Sequence, residues 1–446
     1  MIRTKAFLFA LLICLGGTMT AAQEEKLPEQ TATAIAMVDA FAKADYEAAG
    51  KNFDKVMQEA LPIDKRKNLW ETLVKQVGAF KKRMGTRVEK SGKYDVVLIT
   101  CQFEKMVLDV RVVFNADKQV TGLFFKQPKS NYEFKPPSYA QPESYREKEV
   151  VVGTGEWELP GTLTLPRGDG PFPAAVLVHG SGAHDRDETI GPNKPFRDLA
   201  WGLASQGIAV LRYEKRNNVH AARMLALKDK LTIKEETIDD ALEAVAVLRK
   251  QKEIDAKRIF VIGHSLGALV APQIGTRDPG IAGLVLMAGN ARPLEDVILE
   301  QITYIQSLQG ESTDENREEL DKIKKQVARA KDLKLTPDAP AADLPLGIPP
   351  AYWLALRAYN QTETASRLKQ SIFVVQGERD YQVTMDDFKL WKKALASHGN
   401  ATFRSYPKLN HLFMDGEGKA KPAEYEKAGH VARELVDDLA AWIKKQ

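Results

Sequence analysis

The chain has 446 residues, 44% of them hydrophobic and 28% charged, with 30 Gly and 22 Pro. That length allows two or three domains of roughly 150 residues, while the apolar content excludes a disordered chain and the aperiodic Gly and Pro exclude a collagen-like one. The 64 basic and 60 acidic residues leave a net charge of +4, too balanced for the one-signed field of a nucleic-acid binder, so no nucleic-acid partner is expected.

Arg3 and Lys5 precede an apolar run over residues 6–15, and a small-residue stretch ending Ala21-Ala22 follows. This is the n-region, h-region and cleavage-site order of a secretory signal, with cleavage expected before Gln23. The run of 10 apolar residues is far short of the roughly 20 that span a bilayer. A periplasmic or secreted protein without a lasting transmembrane anchor is therefore expected. Cys14 leaves with the signal, and Cys101, in the strand-like run 96–103, is expected in a core and without a disulfide.

Residues 32–82 read as helices, with Ile35, Val38 and Phe41 and then Leu69, Leu73 and Val77 at spacings of three and four. Strand-like runs follow at 86–90, 93–103, 106–115 and 119–126, with a hairpin turn at 115–118. Residues 31–126 are thus expected to form a small α+β domain whose element order is similar to that of nuclear-transport-factor-like domains. The four prolines and absent periodicity of 127–142 read as a linker.

From 143 the pattern becomes two early strands, 146–152 and 158–165, and then apolar strands alternating with helices. Strands are predicted at 174–178, 208–213, 258–262, 283–287, 371–375 and 401–406. Helices are predicted at 196–205, 233–250, from 266, at 384–397 and at 423–444. Such uninterrupted Val/Ile/Leu strands belong to a mostly parallel sheet buried on both faces. Residues 290–366 break the alternation and read as a helical cap over a site at the carboxyl edge of the sheet. Residues 143–446 are expected to fold by themselves.

Gly263-His264-Ser265-Leu266-Gly267 fits G-x-S-x-G between a buried strand and a helix. The turn is so tight that glycine is needed at both flanks, and it exposes the serine Oγ at the sheet edge. A serine nucleophile needs a base oriented by a third group. Of the 7 histidines, His179 and His264 are read as architectural, His184 and His220 precede the serine, and His398 and His430 are assigned to helices. His411 remains, in a loop after the last strand. The acid is expected after the preceding strand, where Asp380 is preferred and Glu378 is the alternative; Asp386 and Asp387 are read as acids of the next helix start. The oxyanion donors are expected to be the backbone N–H groups of Leu266 and Ser181.

These residues, together with Val178-His-Gly-Ser-Gly182, Leu211-Arg-Tyr-Glu-Lys-Arg216 and Gly377-Glu-Arg-Asp-Tyr-Gln-Val383, give residues 143–446 a resemblance to the α/β-hydrolase superfamily. More narrowly, the chain resembles bacterial two-domain carboxylesterases of the esterase D type, close to serine aminopeptidase-like hydrolases. The resemblance implies a serine carboxylesterase carrying Ser265, Asp380 and His411. Metal-ligand spacing is absent, no cofactor is expected, and the expected substrate is a small-molecule ester with a short acyl group. Glu214 departs from the Asp often found before Lys-Arg in such enzymes. His264, Tyr381, Tyr352 and Trp353 are candidates for the substrate side of the site. The acids 185–188 are expected to pair with Lys194 or Arg197. A peptidase of the same fold, using cap acids at 311, 314, 315, 318 and 319, is the alternative, as is a non-catalytic envelope-binding module.

Overall fold

The computed structural model describes residues 28–91, 94–126, 134–227, 230–308 and 313–446. The signal-like residues 1–22 lie outside these. The chain divides into two compact units, one holding the described residues 28–126 and 217–227 and the other holding 134–216 and 230–446.

The smaller unit has a four-stranded antiparallel sheet in the order β1-β2-β3-β4, formed by Phe80–Ser91, Tyr94–Phe103, Val107–Phe114 and Val120–Lys126. Alternate residues Val97, Ile99, Cys101 and Phe103 of β2 and Val110, Val112 and Phe114 of β3 share one apolar cluster with Phe41 and Trp70 of the helices. Cys101 is a buried free cysteine whose thiol is pushed up by burial to about 12. The helical reading of 78–82 fails because Gly78, at φ 80°, ends the helix Ile63–Val77, and Phe80 enters the ladder opposite Phe103. On the other sheet face, Val96, Leu98, Val113 and Phe124 enclose Ala221, which belongs to the excursion 217–227.

The larger unit is built on an eight-stranded sheet. Its strands are β5 Tyr145–Val152, β6 Leu159–Pro166, β7 Phe172–Val178, β8 Ala209–Tyr213, β9 Ile254–His264, β10 Gly283–Met287, β11 Ser371–Gly377 and β12 Ala401–Tyr406, in the order β12-β11-β10-β9-β7-β8-β6-β5. β5 and β6 are antiparallel additions, and the six from β8 to β12 are parallel. Helices Pro195–Ala204 and Arg433–Lys445 bury Leu199, Leu203, Leu435 and Leu439 against Leu177, Ile262 and Val375 on one face. The intervening strand residues Val176, Val261 and Leu284 are buried too, under Asp239–Arg249 and Leu266–Arg277, which pack on β9.

Two expectations need correction. Residues 134–142 are part of the larger unit rather than linker: Tyr139 is buried in its core and its hydroxyl donates to the Val431 carbonyl at 2.7 Å. The prolines that suggested a linker leave no periodicity, but Tyr139, Phe134 against Trp201 at 5.8 Å and Gln141 N–H on the Ser205 hydroxyl at 2.8 Å hold the segment. The last helix starts at Arg433, not 423, because Asp198 captures the preceding chain, accepting from Val431 N–H at 2.9 Å and facing His430 Nδ1 at 3.1 Å.

Between β10 and β11 the cap is helical, with Leu294–Ser307, Asp314–Lys331, Pro350–Arg357 and Gln361–Ser366. Its start is held by Asp387, which accepts from the N–H groups of Ala291 and Arg292 at 2.9 Å each and pairs with the Arg292 guanidinium at 2.7 Å. Asp387 stands in the first turn of helix Met385–Ala394, as expected, and anchors the cap as well.

Candidate active site

The connection order sends β8 to one side of β7 and β9 to the other, so a crevice opens at their carboxyl ends, where open α/β sheets place their ligands. Ser265 sits there between β9 and helix Leu266–Arg277 with φ 53° and ψ −114°, left-handed for a residue that is not glycine. Both flanking glycines are required: a Cβ at Gly263 would meet the Gly267 carbonyl oxygen at 2.3 Å, and one at Gly267 would meet the Val178 carbonyl oxygen at 2.1 Å. The strained peptide is held by Ser265 N–H donating to Met287 O at 2.9 Å. Leu266 begins the helix, which leaves its N–H without an intrahelical acceptor.

Asp380 follows β11 and receives the His411 imidazole, Nδ1 to Oδ2, at 2.6 Å. Its carboxylate also accepts from Gln382 N–H at 2.7 Å, Val383 N–H at 3.1 Å and the Gln376 amide at 3.1 Å. Every lone-pair direction is filled, so the carboxylate is fixed in position and stays an acceptor. Gly377 permits the approach, since a Cβ there would lie 2.4 Å from Leu409 O in the loop that carries His411. Glu378, the alternative acid, instead accepts from the Ser405 hydroxyl at 2.8 Å.

The loop after β7 reaches Ser265 directly: a Cβ on Gly180 would be 3.2 Å from that of Ser265. Gly180 N–H donates to Glu188 Oε1 at 2.7 Å, and Gly180 O accepts from Lys215 Nζ at 2.7 Å. His264 joins three loops. Its Nε2 donates to His411 O at 2.9 Å and its Nδ1 faces Glu188 Oε2 at 2.9 Å. Burial opposes its charge, but the Glu188 carboxylate outweighs burial and raises its pKa; in return, against the effect of burial, His264 brings the Glu188 carboxyl down to about 2. Both ring nitrogens thus have protein partners, and the substrate expectation for His264 gives way to an architectural role.

The remaining substrate candidates are buried. The Tyr352 hydroxyl donates to Glu236 Oε2 at 2.6 Å, and the Trp353 indole donates to Ile348 O at 3.2 Å. Tyr381, adjacent to Asp380, lies between cap Tyr304 at 5.3 Å and Tyr425 at 6.2 Å, ring centre to ring centre. A cleft of about 730 Å³ opens beside Asp380, lined among others by Glu300, Arg379, Thr384 and Lys408. Neither Ser265 nor His411 borders it.

Sequence reasoning missed Glu188, Lys215 and Glu236. Within 185–188, Asp187 does pair with Lys194 at 3.2 Å and Arg197 at 2.7 Å. Arg186 turns to Glu214 at 3.0 Å, however, and Glu188 turns inward to the site. Burial pushes the Glu214 carboxyl up to about 7, Arg186 notwithstanding. Only the Glu-Lys-Arg string after β8 hinted that charged residues face the site.

A strained serine on a strand-to-helix turn, a carboxylate-held histidine and a glycine loop at one sheet edge define an α/β-hydrolase. Residues 173–418 match the family model described as serine aminopeptidase S33, and the chain belongs to that family. Residues 34–123 match a domain described as a protein of unknown function. Esterase EstD of Thermotoga maritima is 38% identical over 414 residues, covering 92% of this chain and 95% of that one. Among solved structures, Est1E from Butyrivibrio proteoclasticus is 15% identical, with 67% of this chain and 99% of that chain covered and a TM-score of 0.44. The hyperthermophilic esterase from Pyrobaculum calidifontis is 17% identical, with 67% and 85% covered and a TM-score of 0.43.

Proposed function

We propose that this protein is an exported serine esterase that cleaves short-chain carboxylic esters through an acyl-enzyme. The observation that carries the reading is the 2.6 Å Asp380–His411 bond at the same carboxyl edge of the sheet as a serine held at φ 53°. The 38% identity to an esterase over nearly the whole chain supports the ester as substrate.

His411 Nε2 takes the Ser265 Oγ proton as Oγ bonds the ester carbonyl carbon, and the π electrons move to the carbonyl oxygen. The N–H groups of Leu266 and Ser181 receive that oxyanion. Collapse breaks the bond to the alkoxy oxygen, which leaves with the proton from His411. Water, deprotonated by His411, then attacks the acyl-serine, and Ser265 departs with that proton to release the acid. Asp380 holds the imidazole in the tautomer with Nδ1 protonated throughout.

The short-acyl preference is inferred from the aromatic composition of the cap, where Tyr352, Trp353 and Tyr359 would close an apolar pocket. The basic, apolar and small-residue order of residues 1–22 supports export to the periplasm or beyond. Among the described residues no helix is long and apolar enough to cross a membrane.

The full chain with a fluorophosphonate probe tests the chemistry: a single adduct on Ser265, lost in Ser265→Ala, is expected, and an adduct elsewhere overturns the reading. Turnover falling from butyrate to decanoate aryl esters is expected for the acyl preference. The family description favours a second reading, an aminopeptidase. Asp314, Glu318 and Glu319 are exposed on helix Asp314–Lys331, as on a solvated face, and faster cleavage of an aminoacyl anilide than of an aryl ester would decide for the peptidase.

A further inference from the structure

We propose that Lys215 is a positioning residue that strengthens the Ser181 oxyanion donor from behind, and that Glu236 and the cap residue Tyr352 hold it in place. The inference rests on the reading of Ser181 N–H as an oxyanion donor.

Lys215 comes two residues after the end of β8. Its Nζ donates to Gly180 O at 2.7 Å and to Glu236 Oε1 at 2.7 Å, and Glu236 Oε2 accepts from the Tyr352 hydroxyl at 2.6 Å. The side chains are buried, Lys215 being 2% and Tyr352 4% exposed. A buried ammonium needs a counter-charge, which Glu236 supplies. That need does not explain why the lysine also bonds a neutral carbonyl of the loop beside Ser265.

The chemistry of the peptide group does. Gly180 C=O and Ser181 N–H belong to one planar, resonance-coupled unit. A cation on the carbonyl oxygen draws electron density from nitrogen, which makes the N–H a stronger donor, and charge-assisted bonds in series polarise one another. The orientation is fixed as well. Glu188 holds Gly180 by its N–H at 2.7 Å and Lys215 holds it by its carbonyl, so the next N–H is aimed before an oxyanion forms and needs no reorganisation. Burial and Glu236 hold the Tyr352 hydroxyl well above its ordinary pKa, so it remains a donor. The cap is thereby linked to the oxyanion loop through three side chains.

The test uses the full chain with Lys215→Met, the double variant Lys215→Met/Glu236→Gln, Tyr352→Phe and Ser265→Ala. Steady-state kinetics on 4-nitrophenyl butyrate are combined with binding of an alkyl trifluoromethyl ketone and of the matching methyl ketone. With the first ketone, Ser265 Oγ bonds the carbonyl carbon, the oxygen takes the π pair as an oxyanion and the serine proton passes to His411. The second binds without that step. The double variant is expected to lower kcat by about 10- to 100-fold, short of the ~10²–10³ for loss of a whole donor, and to weaken the fluoroketone by a similar factor. KM and methyl ketone affinity stay unchanged. Tyr352→Phe is expected to show the same pattern at about two- to tenfold. A folded double variant with unchanged kcat and fluoroketone affinity overturns the proposal. So does an equal loss for both ketones, which marks general loosening. If the Lys215 variants do not fold, Tyr352→Phe decides by the same readouts. Substantial activity in Ser265→Ala would remove the nucleophile reading and this inference with it; abolished activity there, with undiminished turnover in the Lys215 variants, overturns this inference alone.

Discussion

At the residue scale the site separates groups that do chemistry from groups that hold them. Ser265→Ala is expected to lower turnover by about 10⁶-fold with an unchanged thermal midpoint, since Oγ removal leaves the turn's backbone bonds intact; circular dichroism melts and ester kinetics together check this. His411→Ala is expected to abolish turnover. His430→Ala is expected to retain it and lower stability, because His430 bonds the buried Asp198 that anchors the last helix. Glu188 makes a prediction about pH. Burial notwithstanding, its carboxyl is held down to about 2 in the folded chain by the His264 charge, against an ordinary value of 4.5. Folding therefore favours the charged form, and the stability it contributes is present above about pH 4.5 and lost as pH falls toward 2. Urea unfolding of wild type and Glu188→Gln should differ most between about pH 5 and the raised pKa of His264, with the gap closing on acidification toward pH 2 and narrowing again as His264 loses its proton. A gap that widens with acid below about pH 5 would refute the assignment. The candidate set Ser265, Asp380 and His411 was legible because each residue follows a recognisable strand. Glu188 was not, because in the charged run 185–188 Asp187 turns to Lys194 and Arg197, Arg186 to Glu214 and Glu188 to the site, and nothing in the sequence separates them.

At the element scale, the nucleophile turn depends on close backbone approaches that no larger residue permits. Gly267→Ala places a methyl 2.1 Å from Val178 O, whereas Gly399→Ala meets nothing within 4 Å. The first is expected to destabilise the protein by about 1–3 kcal/mol or more and to cut kcat/KM by ~10² through misplacement of the Leu266 N–H. The second should leave both unchanged, and thermal melts with kinetics on the pair check this. Strand identity was readable from the apolar runs, but helix ends were not. Gly78 ends a helix that periodicity carried to 82, and Asp198 delays the last helix to Arg433. In both places a cap or a distant side chain outweighs a few tenths of a kcal/mol of propensity.

At the scale of the whole molecule, the chain's two apolar patterns become two units whose boundary is not a single cut. Residues 134–446 are expected to fold without the rest, and the shorter 143–446 to be less stable by about 3–5 kcal/mol, the usual loss for a large buried aromatic, because it lacks Tyr139. In the longer fragment the segment 217–227 loses Val96, Leu98, Val113 and Phe124 from around Ala221 and is expected to be the first site of proteolysis. Limited digestion with mass spectrometry, run beside ester turnover, checks both. A folded but inactive 134–446 would show that the smaller unit is needed for the site.

What the sequence determined by itself is local or periodic: buried parallel strands, the cap as a break in their alternation, and a serine turn recognisable by its two glycines, of which Gly263 is required by the approach of Gly267 four residues on. Family membership was legible for the same reason, since the motifs that carry it are short and contiguous. The tertiary structure alone decided which charged residues meet. Lys215 and Gly180 are 35 positions apart, Glu236 and Tyr352 are 116 apart, and His264 and His411 are 147 apart. A charge in sequence has no direction. It acquires one only when burial makes an unpaired charge too costly and the sheet order determines which partner is within reach.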